Sequence, residues 1–506
     1  MNIFDSLERA QNRFPDKEAL VFRGQSTTYG ELCEQACCLS AALEKHFGLQ
    51  QGDRVAIFLP NIPEFIVSYY AIERLGAIAV SLNVMLKRDE VEFILRDCGA
   101  TLLVTTPQLL EQVSDSIPTL RGIVVVGEAN GRSCLTFSDL VTEHPASQSL
   151  YARVESEDGA AILYTSGTTG KPKGVLLTHG NLSFNSEAVN RYTQMTADDR
   201  LLCFLPLFHC FGQNFIMNGA VNRGAALILH ERFVPDEILQ SALLNRASVF
   251  LGVPAVFMRF LAQTDCEKYF AAIRYYFTAA APMPAEVARR WRERFGKTIY
   301  EGYGLTETSP FASHNHEFDY REESVGTALE GVKIKVVNEK GETLPAGELG
   351  EIAIKGPNVM KGYFNRPEET AEVIRDGWFL SGDIGKMDKD GYVFLVDRAK
   401  DMVNISGFKV WPREVEEVLS RHDGILEVAI IGIPDPLSGE AVKAFVVLKK
   451  GAQLTEKEVI DFCRDRIAVY KAPRYVEFID ALPRNPSGKV LKRELRLREQ
   501  GTKRVA

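Results

Sequence analysis

The sequence lacks the features that mark membrane-spanning, secreted and nucleic-acid-binding proteins. No apolar run reaches the roughly 18 residues of a membrane-spanning helix, and the polar N-terminus has no signal-peptide core. The nine cysteines form no C-x-x-C pair, which favours a reducing cytoplasm over a disulfide framework. Lysine and arginine number 59 against 67 acidic residues, and the net charge of -8 argues against a nucleic-acid partner.

What is present is an ordinary globular composition, 45% hydrophobic over 506 residues. Residues 1 to about 160 alternate short apolar strands, such as 55–59 and 78–82, with amphipathic helices. This alternation predicts parallel sheets covered by helices. Residues from about 324 to 398 become β-rich and are punctuated by glycine and proline, which predicts a small barrel of antiparallel strands. A charged junction then leads into a second α/β unit.

The stretch from Tyr164 to Gly174 is the strongest functional signal. Between two apolar strands it places three glycines, four hydroxyl side chains and two lysines. Glycines let a backbone approach a ligand closely, while N–H groups, hydroxyls and ammonium groups can cradle polyphosphate. The loop is not a Walker A sequence, because Pro172 stands where that pattern requires Gly-Lys. A flexible hairpin loop is the alternative interpretation.

A second signal is the segment 299–308. Tyr303 lies between Gly302 and Gly304, where its ring could stack on a base, and Thr306 offers a hydroxyl donor. Glu307 supplies a hard oxygen ligand of the kind that Mg²⁺ prefers. By spacing alone, His209 among aromatic residues is more typical of a packed core histidine.

These motifs, in this order over residues 160–490, resemble those of the adenylate-forming superfamily. Its members include acyl-CoA synthetases, aryl-CoA ligases, firefly luciferase and the adenylation domains of peptide synthetases. The resemblance implies that Lys489, Lys173, His209, Thr306 and Glu307 are catalytic, and that Thr165 and Glu307 hold Mg²⁺. The ATP-binding residues it implies are Thr165, Ser166, Gly167, Thr168, Thr169, Gly170, Lys173, Ala280, Ala281, Glu301, Gly302, Tyr303, Gly304, Thr306, Asp383, Arg398 and Lys489.

The resemblance also implies an α/β fold that is divided into two domains. A large N-terminal domain, residues 1–398, would hold parallel sheets covered by helices and the small β-barrel subdomain at about 324–398. A small mobile α/β C-terminal domain, residues 399–506, would turn about a hinge near 397–401, with Asp397 and Lys400 at the pivot. Its turning face would form the CoA tunnel with Ser406, Gly407, Phe408 and Lys409.

The implied reaction is ATP-dependent activation of a carboxylic acid to acyl-AMP, followed by transfer to the thiol of CoA. The resemblance is to the medium- or long-chain fatty acid branch, with ATP, Mg²⁺ and CoA required and a cytoplasmic location expected. No extra segment appears between Glu301 and Arg398, which favours CoA over the acyl carrier protein used by fatty-acyl-AMP ligases. That acceptor stays open, as do an aryl-CoA ligase, a luciferase-like oxidase and a non-catalytic nucleotide-binding regulator. Peripheral membrane contact also stays open, because long-chain acids partition into bilayers.

Overall fold

The computed structural model describes the chain except residues 1, 115–116, 129–133, 144, 147–150, 166–171, 399–400, 406–407, 436–437, 486–487 and 503–506. The α-helices of the described residues are α1 Phe4–Arg13, α2 Tyr29–Phe47, α3 Pro63–Arg74, α4 Arg88–Asp97, α5 Pro107–Leu110, α6 Phe137–Glu143, α7 His179–Thr193, α8 Gly219–Arg223, α9 Pro235–Leu244, α10 Pro254–Leu261, α11 Ala285–Phe295, α12 Pro367–Val373, α13 Pro412–Ser420, α14 Glu456–Arg464 and α15 Lys492–Thr502. A π-helix, Phe211–Asn218, precedes α8. None of these helices is both long and apolar enough to cross a bilayer.

The strands follow the same chain order. They are β1 Glu18–Phe22, β2 Gln25–Thr28, β3 Arg54–Phe58, β4 Ile78–Ser81, β5 Leu102–Thr105, β6 Gly122–Val125, β7 Leu135–Thr136, β8 Gly159–Thr165, β9 Lys173–Thr178, β10 Arg200–Cys203, β11 Ala226–Leu229, β12 Val249–Gly252, β13 Tyr275–Thr278, β14 Ile299–Tyr303, β15 Ser313–His314, β16 Thr327–Ala328, β17 Lys333–Val337, β18 Gly350–Lys355, β19 Gly362–Tyr363, β20 Ile374–Arg375, β21 Trp378–Met387, β22 Val393–Arg398, β23 Val403–Ile405, β24 Phe408–Val410, β25 Ile425–Asp435, β26 Gly439–Leu448 and β27 Tyr475–Phe478.

Two large sheets form the N-terminal part. One runs in the order β19-β9-β8-β4-β3-β5-β6-β7, and the other in the order β16-β15-β14-β13-β12-β10-β11-β1-β2. The centre of each sheet is parallel, and antiparallel strands are added only toward the ends. Along β3, Val55 and Ile57 enter the main core, whereas Ala56 and Phe58 enter a second core on the opposite face. Both faces are therefore covered, as parallel sheets require, and the α/β prediction is confirmed.

Two smaller antiparallel sheets complete the chain. The order β17-β18-β21-β20, with β22 on β21, makes the β-rich subdomain a curled sheet. The last sheet, β24-β23-β26-β25 with β27 on β26, belongs to a separate C-terminal domain. Along β26, alternate side chains feed two small cores, with Val442 and Ala444 in one and Ala441 and Phe445 in the other. The boundary at 398/399 stays a prediction, and its pivot residue Lys400 lies outside the described residues.

Candidate active site

The phosphate-loop prediction falls on the turn between β8 and β9. Thr165 ends β8 and pairs in register with Lys173, the first residue of β9. The predicted ligands Ser166, Gly167, Thr168, Thr169 and Gly170 lie outside the described residues. The two ends of the predicted cradle are thus adjacent, because the antiparallel pairing of β8 and β9 brings them together.

Lys173 and Glu307 both contact Tyr363. The Tyr363 hydroxyl donates a hydrogen bond to Glu307 Oε1 at 3.0 Å, and Lys173 Nζ lies 5.0 Å from the centre of the Tyr363 ring. Lys173 also forms an ion pair with Glu369, at the start of α12. Burial raises the pKa of Glu307, which lies with Thr306 in the short helical turn after β14. The sequence analysis missed Tyr363 and Glu369, because nothing local links residues 360–370 to the loop.

Asp383 is held by two partners. The Tyr303 hydroxyl donates to Asp383 Oδ2 at 2.8 Å, and Arg398 Nε lies 3.0 Å from Oδ1. Asp383 and Arg398 face each other in register on β21 and β22. The Asp383 carboxylate raises the pKa of the Arg398 guanidinium, although burial opposes the change. Tyr303 is buried, with its hydroxyl rather than an open ring engaged here.

The two glycines beside Tyr303 permit close packing. A Cβ on Gly304 would lie 1.8 Å from the carbonyl oxygen of Pro310, and one on Gly302 would lie 2.5 Å from the Phe277 ring. The first would displace backbone and the second an aromatic ring. These glycines therefore have a packing role that does not depend on a nucleotide.

A small apolar cavity lies beside His209. Its walls are Leu205, Pro206, His209, Phe211, Gly212, Val253 and Ala280. Ala280 has φ of 69°, an unusual left-handed conformation for a residue with a Cβ, and is exposed beside the partly buried Ala281. Phe211 is backed by Phe277 and Phe311, whose ring centres lie 6.1 and 5.6 Å away.

Lys489 of the C-terminal domain lies near His209. Burial, and then the positive charge of Lys489, lower the pKa of His209 to about 4, so this histidine is neutral at pH 7. A Cβ on Gly488 would lie 2.7 Å from Val253 Cγ2, in the cavity wall. His209 and Lys489, 280 residues apart in the chain, are therefore brought to the same place.

The junction between the domains is held by Arg413. Its backbone N–H donates to Asp397 Oδ2 at 2.9 Å, and its guanidinium donates to the Leu395 carbonyl at 2.7 Å. Phe408 and Lys409, on β24, are exposed, and the Phe408 ring packs on Tyr470 at 4.9 Å. Ser406 and Gly407 lie outside the described residues. The hinge and tunnel roles stay predictions.

Glu301 connects the site to that junction. It accepts a hydrogen bond from Met283 N at 3.2 Å, and burial raises its pKa to about 7 although the charge of Arg413 opposes the change. The native state therefore binds a proton on the Glu301 carboxyl more tightly than the unfolded state does. As a result, the free energy of unfolding falls as pH rises from 4.5 through 7.

We expect Glu301→Gln to be more stable than the parent protein at pH 8.5, by about 1–3 kcal/mol, and nearly equal to it at pH 4.5. Thermal midpoints at the two pH values measure the effect, with the exposed Glu339→Gln as control. A gain of the same size at both pH values would contradict this account.

Comparison with known proteins identifies the family of the chain. Residues 7–364 match the AMP-binding enzyme family, and residues 414–489 match the AMP-binding enzyme C-terminal domain. The chain belongs to the family of AMP-binding enzymes. A long-chain-fatty-acid–CoA ligase of Bacillus subtilis (strain 168) is 36% identical, over 96% of this chain and 92% of its own length. A feruloyl-CoA synthase of an Amycolatopsis species is 37% identical, over 96% of both chains.

A solved structure with the same fold contains a bound acyl-adenylate. This AMP-binding enzyme superposes on the anthranilate CoA ligase crystallised with anthranoyl-AMP, with a TM-score of 0.93 and 30% identity, over 99% of this chain and 98% of that one. The predictions of an adenylate-forming relationship and of an AMP-forming ligase that joins an acid to a thiol are confirmed. The named relatives act on fatty, hydroxycinnamic and aminobenzoic acids, so they leave the acid substrate of this AMP-binding enzyme open.

The residues of this AMP-binding enzyme fit a magnesium ion. Mg²⁺ typically takes one or two protein oxygens and completes its shell with phosphates and water. Glu307 offers one carboxylate, and β9, which pairs with the Thr165 strand, packs beside its turn. The donor set is hard oxygen throughout, as this ion requires.

Proposed function

We propose that the chain activates a medium- or long-chain fatty acid with ATP and transfers the acyl group to the thiol of CoA. The observation that carries this proposal is the apolar cavity that has neutral His209 in its wall and Lys489 nearby. An apolar wall suits a hydrocarbon chain, and the ammonium group can neutralise a carboxylate at its end.

In the first half-reaction, the acid's carboxylate attacks the α-phosphorus of ATP and pyrophosphate leaves. A carboxylate is already nucleophilic at pH 7, so catalysis consists of positioning and charge neutralisation. Lys489 would neutralise the α-phosphate, and Lys173 the departing phosphates. Glu307 and Thr165 would hold Mg²⁺, which when bound offsets charge on the phosphate oxygens.

The nucleoside would be held by Asp383 and Arg398. Asp383, paired with Arg398, would accept the ribose hydroxyls, and Arg398 would also reach phosphate. The small side chains of Ala280 and Ala281 leave room for adenine. Thr306, next to Glu307, would donate to a phosphate oxygen.

In the second half-reaction, the thiol attacks the acyl carbon and AMP leaves. With Lys489 near His209, where the acyl carbon would lie, the thiol would need another path to that carbon. Rotation of the C-terminal domain about 397–401 would remove Lys489 and bring the face carrying Gly407 to the site. The carrier arm of CoA would then enter past Phe408 and Lys409.

The test is AMP release with ATP, Mg²⁺ and CoA across straight-chain acids from acetate to octadecanoate, with benzoate and cinnamate alongside. A CoA-dependent maximum at one fatty chain length supports the proposal. A preference for the aromatic acids would move the enzyme to the aryl-CoA ligases, which the aromatic wall at Phe211 makes the second candidate. Pyrophosphate release without CoA-dependent turnover would indicate an acyl carrier protein as acceptor.

We expect Phe211→Ala to shift the preferred acid by about two to four carbons toward longer chains, because it removes a ring from the cavity wall and each added methylene then gains apolar contact. The measurement is kcat/KM across the acid panel. Phe233→Ala, which truncates a ring packed on Phe204 and outside the cavity wall, is the control. An unchanged chain-length profile with lower stability would assign Phe211 a packing role only.

A further inference from the structure

Lys173 forms an ion pair with Glu369. The pair neutralises the positive charge that would bind polyphosphate. Lys173 lies directly after the predicted phosphate loop, and its side chain is only 13% exposed. Its ammonium contacts the Glu369 carboxylate. A phosphate that reaches Lys173 must compete with this carboxylate.

Glu369 has a second cation beside it. Arg366 NH1 lies 3.6 Å from Glu369 Oε1, and Arg366 NH2 donates to Asp97 Oδ1 at 2.7 Å. Asp97 in turn accepts the Tyr164 hydroxyl at 2.7 Å, so the guanidinium is anchored to the strand that leads into the loop. If Lys173 turns to a phosphate, the Glu369 carboxylate keeps Arg366 as a partner. This lowers the free-energy cost of breaking the Lys173–Glu369 ion pair.

Backbone hydrogen bonds fix the segment that carries Glu369 beside strand β9. Tyr363 pairs with Val175 of β9, and Phe364 N donates to the Gly174 carbonyl at 2.7 Å. The Thr370 hydroxyl accepts a hydrogen bond from Tyr363 N at 2.9 Å, which fixes the first turn of α12. Glu369 is therefore positioned against Lys173 by tertiary structure and is not a freely moving surface acid.

We propose that Glu369 is the resting counter-ion of Lys173 and is exchanged for the phosphates of ATP and pyrophosphate. This inference rests on the proposed role of Lys173 in phosphate binding. The carboxylate then weakens binding of ligands that carry the β- and γ-phosphates, and leaves AMP unaffected. Its consequence is faster release of pyrophosphate after the adenylate has formed.

The test is calorimetric titration of the full chain and Glu369→Gln with MgATP, magnesium pyrophosphate and AMP, without acid. We expect Kd for MgATP and pyrophosphate to fall about three- to tenfold in the variant, with Kd for AMP unchanged. Glu372→Gln removes the same charge from an exposed position on α12 and is the matched control. Weaker or unchanged MgATP binding, or an equal change for AMP, would overturn the proposal.

A double-mutant cycle separates exchange from simple repulsion. In a Lys173→Met background, Glu369→Gln should no longer tighten pyrophosphate binding, because no ammonium remains to be released. An undiminished gain in that background would reject the exchange. If Glu369→Gln folds poorly, Glu369→Asp, which shortens the carboxylate, should shift Kd in the same direction.

Failure of this inference differs from failure of the proposed function. Normal acid-dependent ATP–pyrophosphate exchange with no selective change in Glu369→Gln would remove only the counter-ion role. Absence of that exchange in the parent protein would remove the proposed function itself.

Discussion

Lys489→Ala is expected to slow acyl-adenylate formation about 1,000-fold, while thioester formation from supplied acyl-AMP stays within a few-fold of the parent rate. Lys489 lies near His209, where burial and then the Lys489 charge lower the histidine's pKa, and the proposed function has the acid's carboxylate and the α-phosphate meet beside it. Only the first half-reaction develops charge there. The thiol step begins from an adenylate that is already formed.

Two assays measure the separation: acid-dependent ATP–pyrophosphate exchange, and CoA thioester formation from synthetic acyl-AMP. Lys457→Ala, which removes an exposed lysine from α14 of the same domain, should leave both rates unchanged. Equal loss of both half-reactions in Lys489→Ala would contradict the assignment and point to a structural role for the 483–490 segment.

Glu307→Gln is expected to lower the rate of adenylate formation about 100- to 1,000-fold without lowering the thermal midpoint. The amide keeps the acceptor for the Tyr363 hydroxyl but loses the charge that would hold Mg²⁺. Burial already raises the pKa of this carboxyl, so the neutral side chain suits the apo protein at least as well. The substitution should therefore lower activity without lowering stability, as at sites where function opposes stability.

The check combines the rate at increasing Mg²⁺ concentration with thermal midpoints in the presence and absence of MgATP. The variant should need more Mg²⁺ and should lose most of the stabilisation that MgATP gives the parent protein. The matched control is Glu322→Gln, which removes an exposed carboxylate from the same part of the chain. A variant that keeps its Mg²⁺ requirement would remove Glu307 from the metal site.

Most strands were predictable, because continuous apolar runs bounded by glycine or proline mark strands buried on both faces. The ends of strands and helices were less predictable where a side-chain contact set them. The apolar run that begins at Val175 would allow a strand as far as His179, but β9 ends at Thr178, whose hydroxyl accepts the Asn181 N–H and starts α7. The pattern from Glu456 would allow a helix as far as Val469, but α14 ends at Arg464, and Ile467 then packs on the domain core.

Much less of the site could be predicted without the family resemblance. A motif indicates a residue type at a position, but the partners of that residue come from distant segments. Asp383 could be singled out, whereas its contact with Tyr303, 80 residues earlier, is set by the docking of the curled sheet on β14. Glu369 reads as a surface acid at a helix start, and only tertiary structure places it against Lys173.

The position of β1 has a consequence for synthesis of the chain. This strand lies parallel to β11, and the hydroxyl of Tyr29 next to it donates to the carbonyl of Ala225, 196 residues later. At about 5–20 residues per second, a ribosome needs about 10–40 s to deliver that partner. Throughout this interval Ala19, Leu20 and Val21, all buried in the finished protein, can pair only with the neighbouring strand β2. Strand β1 is thus completed late, and its other edge must be kept from wrong pairing in the nascent chain.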